Sequence, residues 1–152
     1  MLISTRQATV NDLEKLYEIE RECFTIEAFT KELLTLLLQD SNSVGLIAQV
    51  NGEIAGFIIG LIHHIRGMKT GHIYTIDVAI KHRRKGVGEK LLKELEQIFA
   101  KKGVKICYLE ARLNNIAALE LYEKQGYTEI ERLDNYYSEG THGVRLQKRL
   151  PQ

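Results

Sequence analysis

The sequence predicts an α/β fold, a mixed central sheet of about seven strands flanked by about four helices. Short β-rich runs alternate along the chain with segments whose apolar residues repeat at helical spacing. An Asn51-Gly52 pair between two apolar runs marks a hairpin. The only proline is Pro151, and no linker, repeat or low-complexity stretch divides the chain. We therefore expect residues 1–152 to form one domain.

The first half of the chain predicts strands around two helices. Alternation predicts a strand over 2–7, and Thr9 followed three residues later by Asp12 is a helix-start pattern. Apolar spacing then predicts a second helix. The hairpin turn at Asn51-Gly52 fixes the next two strands. The predicted ranges after the first helix are helix 28–39 and strands 43–50, 53–65 and 72–80.

The second half predicts a long helix, a buried strand, a short helix and a final strand pair. Leucines at helical spacing follow the turn at 82–88, and Gly103 ends that helix. The apolar, β-rich run 104–111 predicts a buried strand. The remaining ranges are helix 115–125, which Gly126 ends, and strands 127–134 and 142–149.

Composition argues against several classes of protein. Lys plus Arg total 21 against 20 Asp plus Glu, so no overall charge predicts a nucleic-acid or membrane partner. No apolar run approaches the roughly 18 residues that span a bilayer, and the first residues lack a signal-peptide pattern. Cys23 and Cys107 stand far apart without metal-ligand spacing, which predicts buried free thiols and a cytoplasmic location.

A basic turn with two glycines leads straight into the long helix. A helix N-terminus offers unpaired N–H groups that suit a pyrophosphate, and glycine lets the backbone approach it closely. The run has neither the P-loop pattern nor the third glycine of a dinucleotide site. A solvated basic turn that touches RNA is the alternative. The residues are Val78, Ala79, Ile80, Lys81, His82, Arg83, Arg84, Lys85, Gly86, Val87 and Gly88.

Two segments resemble the Gcn5-related N-acetyltransferases (GNAT). Residues 83–88 are similar to the Q/R-x-x-G-x-G/A signature of that family, and residues 109–127 resemble its L-E-V-R-x-x-N-x-x-A-x-x-L-Y-x-x-x-G-F block. The resemblance implies the GNAT fold and acetyl-CoA, with no metal. It implies that residues 83–88 hold the pyrophosphate and 78–80 pair with the pantetheine arm. Asn115 and Ala118 fall in the cofactor-contacting part of the second block.

Three residues are candidates for the chemistry. Tyr122 matches the tyrosine that the family places beside the CoA sulfur, and a phenol stays protonated at neutral pH yet can donate to a leaving thiolate. Glu110 lies on an otherwise apolar strand, where burial is expected to raise its pKa and make it a better base. A salt bridge to Arg112 or a neighbouring strand is its alternative role. His72 is a rival base, in a Gly-His-Ile segment that resembles archaeal and eukaryotic N-terminal acetyltransferases.

Asn115 is also expected to cap the helix that it opens. His63 and His64 point to opposite faces of a strand, so they cannot chelate a metal together and we expect them to be structural.

Two peripheral segments suggest that the acceptor is a protein or peptide N-terminus. Residues 135–140 resemble the N-Y-Y-x-x-G stretch between the last two strands of N-terminal acetyltransferases, in which the tyrosines, here Tyr136 and Tyr137, wall the peptide slot. Glu27 lies where these enzymes carry a peptide-recognition loop and could pair with the incoming ammonium or a first-residue side chain; an exposed loop carboxylate is its alternative role. An α-amine titrates near ~8 and a lysine near ~10.4, a gap of roughly 3 kcal/mol that favours the α-amine.

The sequence leaves other functions open. The chain has no tryptophan, which RimI-type ribosomal-protein acetyltransferases often carry in the first loop, and Gly140-Thr141-His142-Gly143 replaces their usual G-E-D-A. A small-molecule amine or lysine acetyltransferase and a non-catalytic CoA- or RNA-binding module are the alternatives. A ribosomal acceptor, the first-residue preference and any accessory subunit are not determined by the sequence.

Overall fold

The computed structural model describes residues 2–24 and 28–151. Glu27, the predicted substrate contact in the first loop, lies outside these residues. The strands are β1 (Ile3–Gln7), β2 (Ser43–Val50), β3 (Glu53–Ile65), β4 (Met68–Val78), β5 (Ile106–Arg112), β6 (Thr128–Ser138) and β7 (Thr141–Arg149). The helices are α1 (Leu13–Cys23), α2 (Lys31–Gln39), α3 (Val87–Lys101) and α4 (Ile116–Lys124). The described elements confirm the predicted mixed sheet with helices on its faces.

The seven strands form one sheet in the order β1-β2-β3-β4-β5-β7-β6. Every neighbouring pair is antiparallel except β4 and β5. These two parallel strands pair only over Thr70–His72 and 106–108. Beyond that short ladder the second half of β4 and the second half of β5 no longer pair, which leaves a gap in the middle of the sheet.

Two hydrophobic cores cover the two faces of the sheet. Residues of α3 and α4 pack with β5 and β7 on one face, and residues of α1 and α2 pack with β3 on the other. The ring of Phe99 in α3 lies against Gly60 and Gly71, where an added Cβ would overlap it. This close approach fixes the position of α3, whose N-terminus faces the end of β4.

A β-bulge at Tyr74 changes which side chains of β4 face which core. The register moves from Gly60↔Ile73 to Ile59↔Thr75, so Tyr74 is the extra residue. Ile73 and Ile76 consequently pack in the same core although they are three residues apart. Thr75 and the residue two further on, Asp77, are thereby turned toward α1.

Several predicted boundaries were wrong. Thr30 caps the second helix, so that helix begins at Lys31 rather than residue 28. The strand predicted over 72–80 runs Met68–Val78, and Ile80 lies in a 3-10 turn because the chain bends into the glycine turn. The last strands are longer than predicted, so Tyr136 and its neighbour lie within β6.

The remaining predictions about the fold had different outcomes. Thr9 and Asp12 form the expected capping box. Both cysteines are free; Cys107 is buried, whereas Cys23 is only half-buried. In the described part of the chain, no helix has the length and apolar character needed to cross a membrane.

Candidate active site

The gap between β4 and β5 contains a cavity of about 140 Å³. Its walls come from both strands, from α1, from α4 and from β6, so it passes through the sheet where the ladder stops. Both apolar and polar groups line it, which is usual for a site that binds and orients a small group. The lining residues are Glu20, Phe24, Phe29, Ile73, Tyr74, Thr75, Ile76, Leu109, Glu110, Ala111, Arg112, Asn115, Ala118, Tyr122 and Tyr137.

The two rival bases form a hydrogen-bonded pair. Oε1 of Glu110 lies 2.7 Å from Nε2 of His72, and the two side chains are 9% and 17% exposed. His72 stands on β4 within the short parallel ladder, opposite Tyr108. The register of β4 against β5 therefore brings together two residues that are far apart in sequence. Glu110 lines the cavity, and His72 lies behind it.

The expected pKa of Glu110 was wrong in direction. Burial acts to raise the pKa of this carboxyl, but the hydrogen bonds from His72 and Arg145 outweigh it, and the pKa is lowered. Nε of Arg145 donates to Oε2 of Glu110 at 2.9 Å. The expected salt bridge to a neighbouring strand thus exists, with Arg145 of β7 rather than Arg112. Glu110 is an ionised carboxylate at neutral pH.

Aromatic rings surround His72. Its imidazole stacks on the ring of Tyr108, with 4.4 Å between the ring centroids. The ring of Tyr74 is tilted against the same imidazole, with 4.3 Å between the centroids. His63 is more distant, with ring centroids 6.3 Å apart. These rings limit the ways in which the imidazole can turn. Across the described ranges, no group of three or more His, Cys, Asp or Glu side chains is arranged to hold a metal ion.

Tyr122 is the candidate acid and lies in α4 on the cavity wall. The residue is buried, and burial, with the nearby Asp77 charge as a second cause, raises the pKa of its phenol. The hydroxyl thus stays protonated over the whole physiological range. Asn115 opens the same helix, and its side chain accepts a hydrogen bond from the backbone N–H of Ala118 at 3.2 Å. The predicted capping role of Asn115 is confirmed.

A second acidic group, which the sequence analysis missed, lies at the α1 side of the cavity. Glu20 and Asp77 are each 1% exposed. The hydroxyl of Thr75 lies 3.0 Å from Oε1 of Glu20 and also contacts Oδ1 of Asp77. Burial, followed by the interaction with Glu20, raises the pKa of Asp77 well above its usual value. Glu20 also accepts a hydrogen bond from the backbone N–H of Phe29 at 3.1 Å, which ties the loop after α1 to the sheet.

The glycine turn has the backbone shape that an anion site requires. Gly86 is the N-cap of α3 with φ 82°, and a Cβ at this position would meet no atom within 4 Å. The space beside it is therefore open. The first turn of α3, from Val87 and Gly88 onward, presents N–H groups that have no partner within the helix. Arg84, with φ 62°, and Lys85 are exposed around this turn.

Arg83 is placed differently from the other basic residues. Its Nε donates to the backbone oxygen of Val78 at 3.1 Å, and Nη2 lies 3.4 Å from Sγ of Cys23. The guanidinium is thus held against the end of β4 rather than directed at the open space beside Gly86. Ala79 donates its N–H to Ala55, so this backbone group is already used within the sheet.

The two tyrosines of β6 have different positions. Tyr137 lines the cavity, and Arg112 lies 5.7 Å from the centre of its ring. Tyr136 is 47% exposed and packs edge-on against Tyr137, with ring centroids 5.0 Å apart. The structure therefore brings Tyr137 into the site and leaves its neighbour at the rim.

Sequence reasoning missed Glu20, Thr75, Asp77 and Arg145. For Thr75 and Asp77 a signal existed: they occupy alternate positions of an apolar strand, where buried polar residues require partners. For Arg145 no local pattern was available. Its role depends on which residue of β5 stands opposite, and that is known only from the sheet register.

A mixed sheet that opens between two parallel strands, with a helix N-terminus facing the opening, agrees with the fold that the two sequence blocks implied. Residues 13–127 match the model of the Acetyltransferase (GNAT) family. The chain belongs to this family and is an N-acetyltransferase.

A relative and several solved structures give a finer comparison. The chain is 29% identical over 147 residues to an N-alpha-acetyltransferase of Sulfurisphaera tokodaii, covering 89% of this chain and 86% of the relative. The Ard1 structure from Thermoplasma volcanium superposes with a TM-score of 0.90 at 25% identity and full coverage of both chains. The ribosomal-protein-S18-alanine N-acetyltransferase of Escherichia coli gives 0.88 at 23% identity, covering 99% of this chain and 96% of that one.

The fold is also shared with a protein whose structure was solved in complex with acetyl-CoA. The Arabidopsis thaliana NAA60 structure in complex with acetyl-CoA has a TM-score of 0.87 at 21% identity, covering 98% of this chain and 99% of that one. These results confirm the resemblance to the GNAT family that the two sequence blocks indicated.

Proposed function

We propose that this protein transfers the acetyl group of acetyl-CoA to the α-amine of a protein N-terminus. The observation that carries the proposal is the Glu110 carboxylate, ionised, hydrogen-bonded to His72 and exposed to the same cavity as Tyr122. A base and an acid in one small cavity are what amide formation from an amine and a thioester needs.

The residues of the glycine turn fit the cofactor. The open space beside Gly86 and the unpaired N–H groups of the α3 first turn suit a pyrophosphate, with Arg84 and Lys85 supplying positive charge. The second half of β4, which does not pair with β5, offers a free backbone edge beside the cavity. Bound there, acetyl-CoA would supply an activated acetyl group next to the cavity.

Glu110 acts as the proton acceptor in this proposal. A carboxylate can only accept hydrogen bonds, so Nε2 of His72 must donate to it. Glu110 takes the proton that the attacking nitrogen gives up, directly or through a water. The Tyr122 hydroxyl gives its proton to sulfur as the carbon–sulfur bond breaks.

The electrostatics favour an α-amine over a lysine. Because His72 and Arg145 lower the pKa of Glu110, this carboxylate is a weak base. The pKa of an α-amine is more than two units lower than that of a lysine side chain. This difference removes roughly 3 kcal/mol from the cost of deprotonating the acceptor. The name of the S. tokodaii relative supports the same acceptor. A cytoplasmic location remains a prediction from the sequence.

The test is release of CoA from acetyl-CoA with two matched peptide sets. One set has a free N-terminus and no lysine, and the other has a blocked N-terminus and an internal lysine. The Glu110→Gln protein serves as the control for acetyl-CoA hydrolysis. Turnover of the first set alone is expected. Turnover of only the second set, or of neither, would refute the α-amine acceptor.

A further inference from the structure

Arg145 stands between two carboxylates because of the sheet register. It is the direct partner of Glu110 across β5 and β7, and of Glu131 across β6 and β7. Its Nε donates to Glu110 Oε2 at 2.9 Å, and its Nη1 donates to Glu131 Oε1 at 2.6 Å. One guanidinium thus joins the cavity wall to the outer edge of the sheet.

The two contacts of this guanidinium differ in exposure. The Glu131 side chain is 55% exposed, so its ion pair is an ordinary surface contact of little energetic weight. Glu110 is 9% exposed and lines the cavity, and Arg145 itself is 29% exposed. Without Arg145, one oxygen of a shielded carboxylate would lose its hydrogen-bond donor, which is unfavourable for the ionised form.

We propose that Arg145 is a positioning residue for acetyl transfer: it holds Oε2 of Glu110, so that Oε1 meets His72 and the carboxylate stays fixed in the cavity. This inference rests on the proposed role of Glu110 as proton acceptor. The guanidinium touches no reacting atom and acts only through Glu110.

After His72, Arg145 is the second group whose hydrogen bond lowers the pKa of Glu110. Its positive charge persists at any pH used in an assay, whereas His72 carries a charge only when protonated. Every tyrosine near Glu110 has its pKa raised by burial first of all, and these phenols remain neutral between pH 5 and 8. The groups around Glu110 are His72 and Tyr74 of β4, Tyr108 of β5, Tyr136 and Tyr137 of β6 and Arg145 of β7.

The experiment measures kcat/KM from pH 5 to pH 8 for Arg145→Gln and Arg145→Lys. Each value is divided by that of the wild type, which cancels the titration of the acceptor amine common to all the proteins. The matched control is Arg132→Gln, an exposed arginine of the neighbouring strand β6 that pairs with Asp134.

For Arg145→Gln, we expect the ratio to fall about tenfold between pH 8 and pH 5, because an adjacent arginine favours the ionised carboxylate by such factors. Arg145→Lys should recover most of this loss, since it restores the positive charge, and the Arg132→Gln ratio should stay flat. A ratio for Arg145→Gln that does not change with pH, whether near one or uniformly low, would overturn the proposal. Uniform loss would indicate a purely structural role.

A second measurement is independent of the acceptor. The ¹³C signal of the Glu110 side-chain carboxyl, assigned by its absence in Glu110→Gln, is followed over the same pH range without any substrate. It should stay constant in the wild type and titrate in Arg145→Gln. If both proteins titrate alike, Arg145 does not control Glu110. This result stands even if the acceptor proves not to be a protein N-terminus.

Discussion

The hydrogen bond between Glu110 and His72 makes a quantitative prediction about their joint removal. Two independent bases would lose activity multiplicatively when both are replaced. These side chains share a 2.7 Å contact and are largely shielded from solvent. We expect residues that act as one unit to show strongly non-additive losses.

The magnitude follows from the kind of contact. Loss of a general base lowers the rate by about 10²–10⁴-fold, so Glu110→Gln should lower kcat by at least about 100-fold. A hydrogen bond to a charged group is worth about 1.5–3 kcal/mol, which corresponds to a coupling of roughly 10- to 150-fold. His72→Ala should therefore cost about 10- to 100-fold in the wild type. In the Glu110→Gln background it should cost no more than about threefold.

The assay is steady-state CoA release at saturating acetyl-CoA for the wild type, both single variants and the double variant. Acetyl-CoA affinity and circular dichroism of each protein show that binding and fold are intact. His63→Ala is the matched control, since it removes a neighbouring imidazole that makes no hydrogen bond to Glu110. Losses in the double variant equal to the product of the single losses would refute the pairing of Glu110 with His72.

Three further predictions follow from other contacts. Tyr122→Phe should lower kcat by about 10- to 100-fold, because it removes the proton donor; unchanged kcat at equal acetyl-CoA affinity would exclude that role. Asp77→Asn should raise Tm, since the pKa of buried Asp77 is raised and its ionisation opposes folding. That gain should grow as the pH rises above the ordinary range of an aspartate, and a gain that shrinks with pH would contradict it. Gly71→Ala should destabilise by about 1–3 kcal/mol through overlap with Phe99, measured by urea unfolding. Gly45→Ala, with ordinary contacts at 3.4 Å, is its control, and equal effects would contradict the overlap.

Much of the fold was accessible from local patterns. Thr9 and Asp12 predicted a cap that depends only on residues three apart, and the Asn51-Gly52 turn fixed the bounds of β2 and β3. Element ends were less predictable where the tertiary contacts decide. Ile80 is a residue type that is typical of strands, yet the chain turns there toward α3.

The candidate site was only partly accessible. Glu110, His72 and Tyr122 were recognised individually from their motifs. From the sequence, Glu110 and His72 were alternative bases, and the pKa of Glu110 was expected to be raised. No local pattern shows that the two residues, 38 positions apart, are hydrogen-bonded to each other. The hydrogen bonds from His72 and from Arg145, which lies on a different strand again, together lower the pKa of Glu110 despite burial.

Local patterns in the chain were enough to indicate the order of elements, the glycine turn with its helix and the candidate catalytic side chains, since these depend on residues close together in the chain. How those side chains are connected depends on the fold as a whole. The short parallel ladder of β4 and β5 sets His72 beside Glu110, and the bulge at Tyr74 turns Thr75 toward Glu20. The physical reason is that a shift of one residue in strand pairing moves a side chain to the opposite face of a sheet. The register of β4 against β5 is fixed by packing across the whole domain, and no local pattern contains it.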